Sequence, residues 1–170
     1  PDYDLVSEVL SKLDIHVKVM VRCREGDFIY SDKEMEEMLR SVKKFKSIGV
    51  KEIVFGALTN NNTIDLDALA QITTTANPMD VTFHKAIDVL DNPVEGVLQL
   101  IKNPGVTSIL SSGGKPTAEE GAATLREMYA LVKGKVQIIA AGKITHINCS
   151  HIEALTGVEA FHGRLIVGPL

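Results

Sequence analysis

Glu52-Ile-Val-Phe-Gly-Ala-Leu58, then a short helical stretch headed by Asp65, then Asp80-Val-Thr-Phe-His-Lys-Ala86: this run decides the fold. Two β-branched and aromatic segments flank a segment of helical period, which is the signature of a parallel strand–helix–strand unit. The same alternation extends outward in both directions. Toward the amino terminus, Leu5, Val6, Val9, Leu10 and Leu13 are spaced for one helix face within residues 2–14, and His16-Val-Lys-Val-Met-Val-Arg22 reads as a strand. Residues 32–48 put Met35, Met38, Leu39, Val42, Phe45 and Ile48 on one stripe, with Asp32 as the expected N-cap and Gly49 as the stop.

Toward the carboxyl terminus, a helix is expected from about Asn92, with Pro93 at its first position, where no amide hydrogen is needed. Thr107-Ser-Ile-Leu-Ser-Ser112 reads as a strand, and Thr117 caps a helix through Leu131 with Glu119 and Glu120 in its first turn. Val136-Gln-Ile-Ile-Ala-Ala141 is the fifth strand, Thr145 is the expected cap of the next helix, and Glu159-Ala-Phe-His162 is the sixth strand. Each unit is about 30 residues long, the size of a βαβ repeat. The fold class is α/β, and no linker or low-complexity tract divides residues 1–170.

Composition bounds the function. The chain has 170 residues, 45% of them hydrophobic and 24% charged, with a mean hydropathy of +0.10, the profile of one globular domain. Eighteen Lys and Arg against 22 Asp and Glu give a net charge of −4, which argues against a nucleic-acid partner. No apolar run approaches the ~20 residues of a membrane span. Two cysteines, Cys23 and Cys149, are too few for a disulfide scaffold, so a cytoplasmic setting is expected.

Between an open sheet and a barrel, the strand ends decide. No Gly-rich dinucleotide fingerprint follows the first strand. Instead polar residues recur at the strands' carboxyl ends: Arg22, Thr59, His84 with Lys85, Ser111 with Ser112, Gly142 with Lys143, and His162 with Arg164. That end is the active face of a TIM-type (β/α)8 barrel. Six strands cannot close such a barrel, so the expectation is an incomplete one lacking two strands.

Alternation along each strand puts Thr82 with His84, Met20 with Arg22 and Ala160 with His162. Arg22, His84 and His162 are therefore expected to converge on one barrel mouth. The plainer reading of each His is a hydrogen-bonded core residue. In Arg22-Cys-Arg-Glu-Gly-Asp-Phe28, Arg22 and Arg24 have the planar forks that clamp a carboxylate or phosphate, and Asp27 could orient them or act on substrate. The competing reading is a loop held by its own Arg–Asp pairs. Gly142 and Gly163 permit close backbone approach, and Lys143 and Arg164 add charge suited to an anionic ligand. The competing reading is an ordinary turn. Cys149 reads as a small core residue, and His146 and His151 read as solvated helix positions. His146 and Cys149 would share a helix face three residues apart.

Several stretches resemble the copper homeostasis protein CutC family. Met20-Val-Arg-Cys-Arg-Glu-Gly-Asp-Phe28 with Tyr30-Ser-Asp32 is similar to its M-I-R-P-R-G-G-D-F-x-Y-S-D segment. Phe55-Gly-Ala-Leu-Thr59 with Ile64-Asp65, Val81-Thr-Phe-His-Lys-Ala-Ile-Asp88 with Asn92-Pro93, and Ile109-Leu-Ser-Ser-Gly113 resemble further family stretches in the same order. The resemblance implies a cytoplasmic, self-associating TIM-type barrel with a role in copper tolerance, and places the first two strands before Pro1. It carries Arg22, Arg24, Asp27, His84, Asp88 and His162 over as family residues. Cys23 stands where the family has Pro and Glu25 where it has Gly, which makes Cys23 the one candidate soft metal ligand; the others stay unassigned.

Two functions follow as expectations. One is copper homeostasis, with copper itself as a bound ion. The other is an enzyme acting on a small anionic or phosphorylated substrate, with His84, Asp27 and Asp88 as catalytic groups, and Arg22, Arg24, Gly142, Lys143, His162, Gly163 and Arg164 binding the ligand. Fold alone cannot choose between them.

Overall fold

A computed structural model describes residues 1–132 and 134–168. Strands and helices alternate along the chain, and every strand pair described below is parallel, which places the chain in the α/β class of the barrel type. Two compact units divide it, residues 1–82 and 83–170.

The first unit contains α1 (Tyr3–Lys12), β1 (Lys18–Met20), α2 (Asp32–Ser47), β2 (Glu52–Phe55), α3 (Leu66–Ala76) and most of β3 (Asp80–Phe83). β1 lies beside β2 with Lys18 opposite Glu52 and Met20 opposite Val54. β2 is buried along its whole length, as a parallel strand covered on both faces should be. α2 lays its stripe of Met35, Met38, Val42 and Phe45 into the core and packs on α3. The Asp80 amide donates to the Lys51 carbonyl at 2.9 Å and fixes the start of β3.

The second unit opens with a 3-10 turn, Lys85–Val89, and continues through α4 (Pro93–Leu100), β4 (Val106–Ser111), α5 (Ala122–Val132), β5 (Gln137–Ala141), α6 (Cys149–Thr156) and β6 (Ala160–His162). β5 pairs with both β4 and β6, and α5 packs between α4 and α6. Val97, Leu100, Leu125, Met128 and Ile152 fill the space beneath. Asp65 and Asn92 cap α3 and α4 as expected, and Pro93 stands at the start of α4.

Five local expectations are corrected. The cap of α2 is Ser31, not Asp32: Ser31 Oγ accepts the Glu34 amide and Glu34 reaches back to the Ser31 amide. The run 80–86 is not one strand, because His84 caps the 3-10 turn and ends β3 at Phe83. Thr117 and Glu120 do exchange side-chain bonds, yet regular helix begins only at Ala122, after a turn. The residue at the cap of α6 is Asn148 rather than Thr145, so His146 lies in the turn before the helix. Cys149 is half-buried at the start of α6 rather than a core residue.

Candidate functional site

In the first unit the arginine loop follows β1. Arg24 is held from three sides: Nε donates to Glu34 Oε1 at 2.5 Å, and Nη2 donates to Asp27 Oδ1 at 2.8 Å and to the Ile29 carbonyl at 2.6 Å. Arg24 beside it, then the Ile29 amide, keep the Asp27 carboxyl below its ordinary value. The Ser31 amide and then Arg24 do the same for Glu34. The loop is thus braced by its own ion pairs, with Glu34 the partner that sequence reasoning missed. Glu34 was findable, because it stands three residues after Ser31 in the capping-box pattern. Arg22 donates to the Gly26 carbonyl at 2.7 Å and stacks 4.6 Å over the Phe28 ring.

Burial, followed by Glu34, pushes the Cys23 thiol up, away from the thiolate that binds metal. Cys149 Sγ lies 3.6 Å from the His146 carbonyl, and His146 Nδ1 lies 3.2 Å from the Leu165 carbonyl. Among the described residues no group of three or more His, Cys, Asp or Glu could hold a metal ion. The donor set therefore does not fit a resident copper cage.

A second feature of this unit was not anticipated. Glu52, at the head of β2, is buried and binds Lys18 Nζ at 2.7 Å and His16 Nε2 at 2.7 Å, and the Thr82 hydroxyl donates to it. Burial pushes the carboxyl up, but the bonds from Lys18, Thr82 and His16 outweigh it, so Glu52 sits below its usual range. The signal in the sequence is a charged residue heading an otherwise apolar strand.

In the second unit His84 is 3% exposed, and its Nδ1 accepts the Ala86 amide at 3.1 Å. Asp88 lies on the same turn and receives a ring of donors: Ser111 Oγ at 2.5 Å, the Ser112 amide at 2.9 Å, the Gly114 amide at 3.0 Å and Lys85 Nζ at 2.7 Å. Lys85 also reaches the Ser112 hydroxyl. Burial raises the Asp88 carboxyl, and these donors, Lys85 foremost, more than reverse it. An acceptor so fully engaged ties the 3-10 turn to the end of β4.

The loops after β5 and β6 do come together. Gly142, Lys143, His162, Gly163, Arg164 and Leu165 line one open cleft of about 440 Å³, within the range of small-molecule sites. The glycines serve the protein's own backbone. A Cβ on Gly163 would lie 2.1 Å from the Ile144 carbonyl oxygen, and one on Gly142, at φ +104°, 2.9 Å from Ser112 Cβ.

Comparisons with known proteins agree on one group. The CutC family model matches residues 1–167. A family protein CutC from Treponema denticola is 37% identical over 162 residues, covering 95% of this chain and 65% of that protein. The copper homeostasis protein cutC homolog of Homo sapiens is 33% identical over 162 residues, covering 95% of this chain and 59% of that one. The chain thus spans less than two thirds of either relative. A crystal structure from Streptococcus agalactiae, described as that of copper homeostasis protein CutC, superposes with a TM-score of 0.92 at 29% identity, over 98% of this chain and 82% of that one.

Proposed function

The chain belongs to the CutC family, and from that premise we propose that it serves copper homeostasis. The observation that carries this reading is the similarity to relatives named for that role, at 33% identity for the human homolog, along 95% of this chain. The arginine-loop and Phe83-His84-Lys85-Ala86 stretches, on which the sequence resemblance rests, lie within the matched span.

The role is proposed without a copper cage built from these residues. Copper(I) prefers thiolate and thioether donors. Burial and Glu34 hold the Cys23 thiol away from the thiolate form, and among the described residues neither cysteine belongs to a group of three or more His, Cys, Asp or Glu that could hold a metal ion. Copper is cargo or signal in this reading, handled by the whole protein.

The test is genetic and chemical together. Deleting the gene from the cell that carries it should raise copper sensitivity, and restoring the coding sequence should reverse it. Growth in copper that is unchanged by deletion overturns the proposal. In competition with a copper(I) chelator, this chain is expected to retain no copper at stoichiometric chelator, and Cys23→Ser with Cys149→Ser should leave the titration unchanged. A titration that shifts with those two substitutions would show that the thiols do hold the ion.

A further inference from the structure

Several of the chain's strand-end cations are engaged by the protein itself, Arg22 by the Gly26 carbonyl and the Phe28 ring. Arg24 is bound by Asp27 and Glu34, Lys18 by Glu52, and Lys85 by Asp88, so their charges are answered by the protein itself. Lys143 and Arg164 differ. Among the described residues no carboxylate pairs with either, and no hydrogen bond engages the His162 ring. All three line the same cleft, between two loops held in backbone contact by Gly163.

Lys143 adds a separate observation. It occupies the left-handed region at φ 55°, one of two non-glycine residues there among the described residues, the other being Asn62. Asn enters that region comparatively easily, whereas Lys gains nothing from it locally. Glycine would relieve the backbone at position 143, so what the lysine supplies is its ammonium group. Leu165, exposed at the rim, offers the cleft an apolar contact beside the basic groups.

We propose that this cleft binds a small phosphate monoester, its phosphate held by Lys143, Arg164 and His162 and its organic part against Leu165. An excess of donors that no carboxylate among the described residues answers, gathered in one open cleft, suits a dianion on a protein whose net charge is −4, because the positive charge is local to the site. The guanidinium fork and the ammonium are the phosphate-binding pair of side chains. The volume of about 440 Å³ admits a phosphate with a compact body attached. This goes beyond the copper role and does not depend on it.

Calorimetric titration of the full chain with phenyl phosphate, inorganic phosphate and benzyl alcohol tests it. Phenyl phosphate should bind saturably, inorganic phosphate more weakly, and benzyl alcohol not at all. Arg164→Gln should weaken phenyl phosphate at least about tenfold, the loss of one charge-assisted contact. Lys143→Gly should weaken it likewise while raising the thermal midpoint, so that lost binding cannot come from lost folding. Arg126→Gln on α5 removes the same charge elsewhere and should leave the affinity unchanged. No saturable binding of phenyl phosphate overturns the proposal. So does a Lys143→Gly or Arg164→Gln variant that binds no more weakly than Arg126→Gln.

Discussion

Asp88 shows how much one side chain can organise. Its oxygens accept from two serine hydroxyls, two backbone amides and one ammonium, all at residues far along the chain except Lys85. Asp88→Asn keeps the shape but turns one acceptor into a donor facing donors, and is expected to cost about 2 kcal/mol at neutral pH. Chemical denaturation checks it. The pH dependence has a definite sign. The folded carboxyl lies below its unfolded value, so its stabilisation is complete above the ordinary carboxylate range and is lost as pH falls through that range toward the depressed folded value. The gap between wild type and Asp88→Asn should therefore narrow on acidification. A gap that stays constant from pH 7 to pH 3, within about the precision of the measurement, would show that charge is not what Asp88 contributes.

Elements were legible where local chemistry decides them. The β-branched and aromatic run at 52–55, the Asp65 cap and the Asn92–Pro93 start all stand where periodicity and capping rules put them. Ends settled by competition were read less well. Ser31 and Asp32 are both good caps, and only the reciprocal bond with Glu34 selects the first. His84 could have extended β3 had its ring nitrogen not taken the Ala86 amide. Removing the winning cap, Ser31→Ala, should lower stability by about 1 kcal/mol, measured by thermal unfolding. Asp32→Ala should cost less, since Asp32 makes no cap bond. Equal costs for the two would return the cap to Asp32. The partners of Asp88 other than Lys85, and those of Glu52, were illegible for a different reason: each contact joins residues more than twenty positions apart, and no periodicity encodes which strand end meets which turn.

At the scale of the whole chain, what is exposed matters as much as what is packed. In the first unit Leu13 and Ile15 stand at the surface, and in the second Ile147 is 81% and Val167 77% exposed. No helix among the described residues is long and apolar enough to cross a membrane. Apolar side chains this exposed are candidates for surfaces that meet protein. Self-association is the expected outcome, and sedimentation velocity over a wide concentration range reads it. The mean mass should climb above the 18.5 kDa of one chain. Ile147→Ser with Val167→Ser should reduce that climb. A mass that stays at one chain throughout would leave these side chains as ordinary surface.

Gly163 carries a consequence for how this sequence can vary. With hydrogen the largest substituent that clears the Ile144 carbonyl, any other residue at 163 forces the backbone of one of the two loops to shift. In a library randomised at that codon and sorted for folded protein, the survivors should read glycine alone, while neighbouring Arg164 drifts freely unless the sort also demands a bound ester.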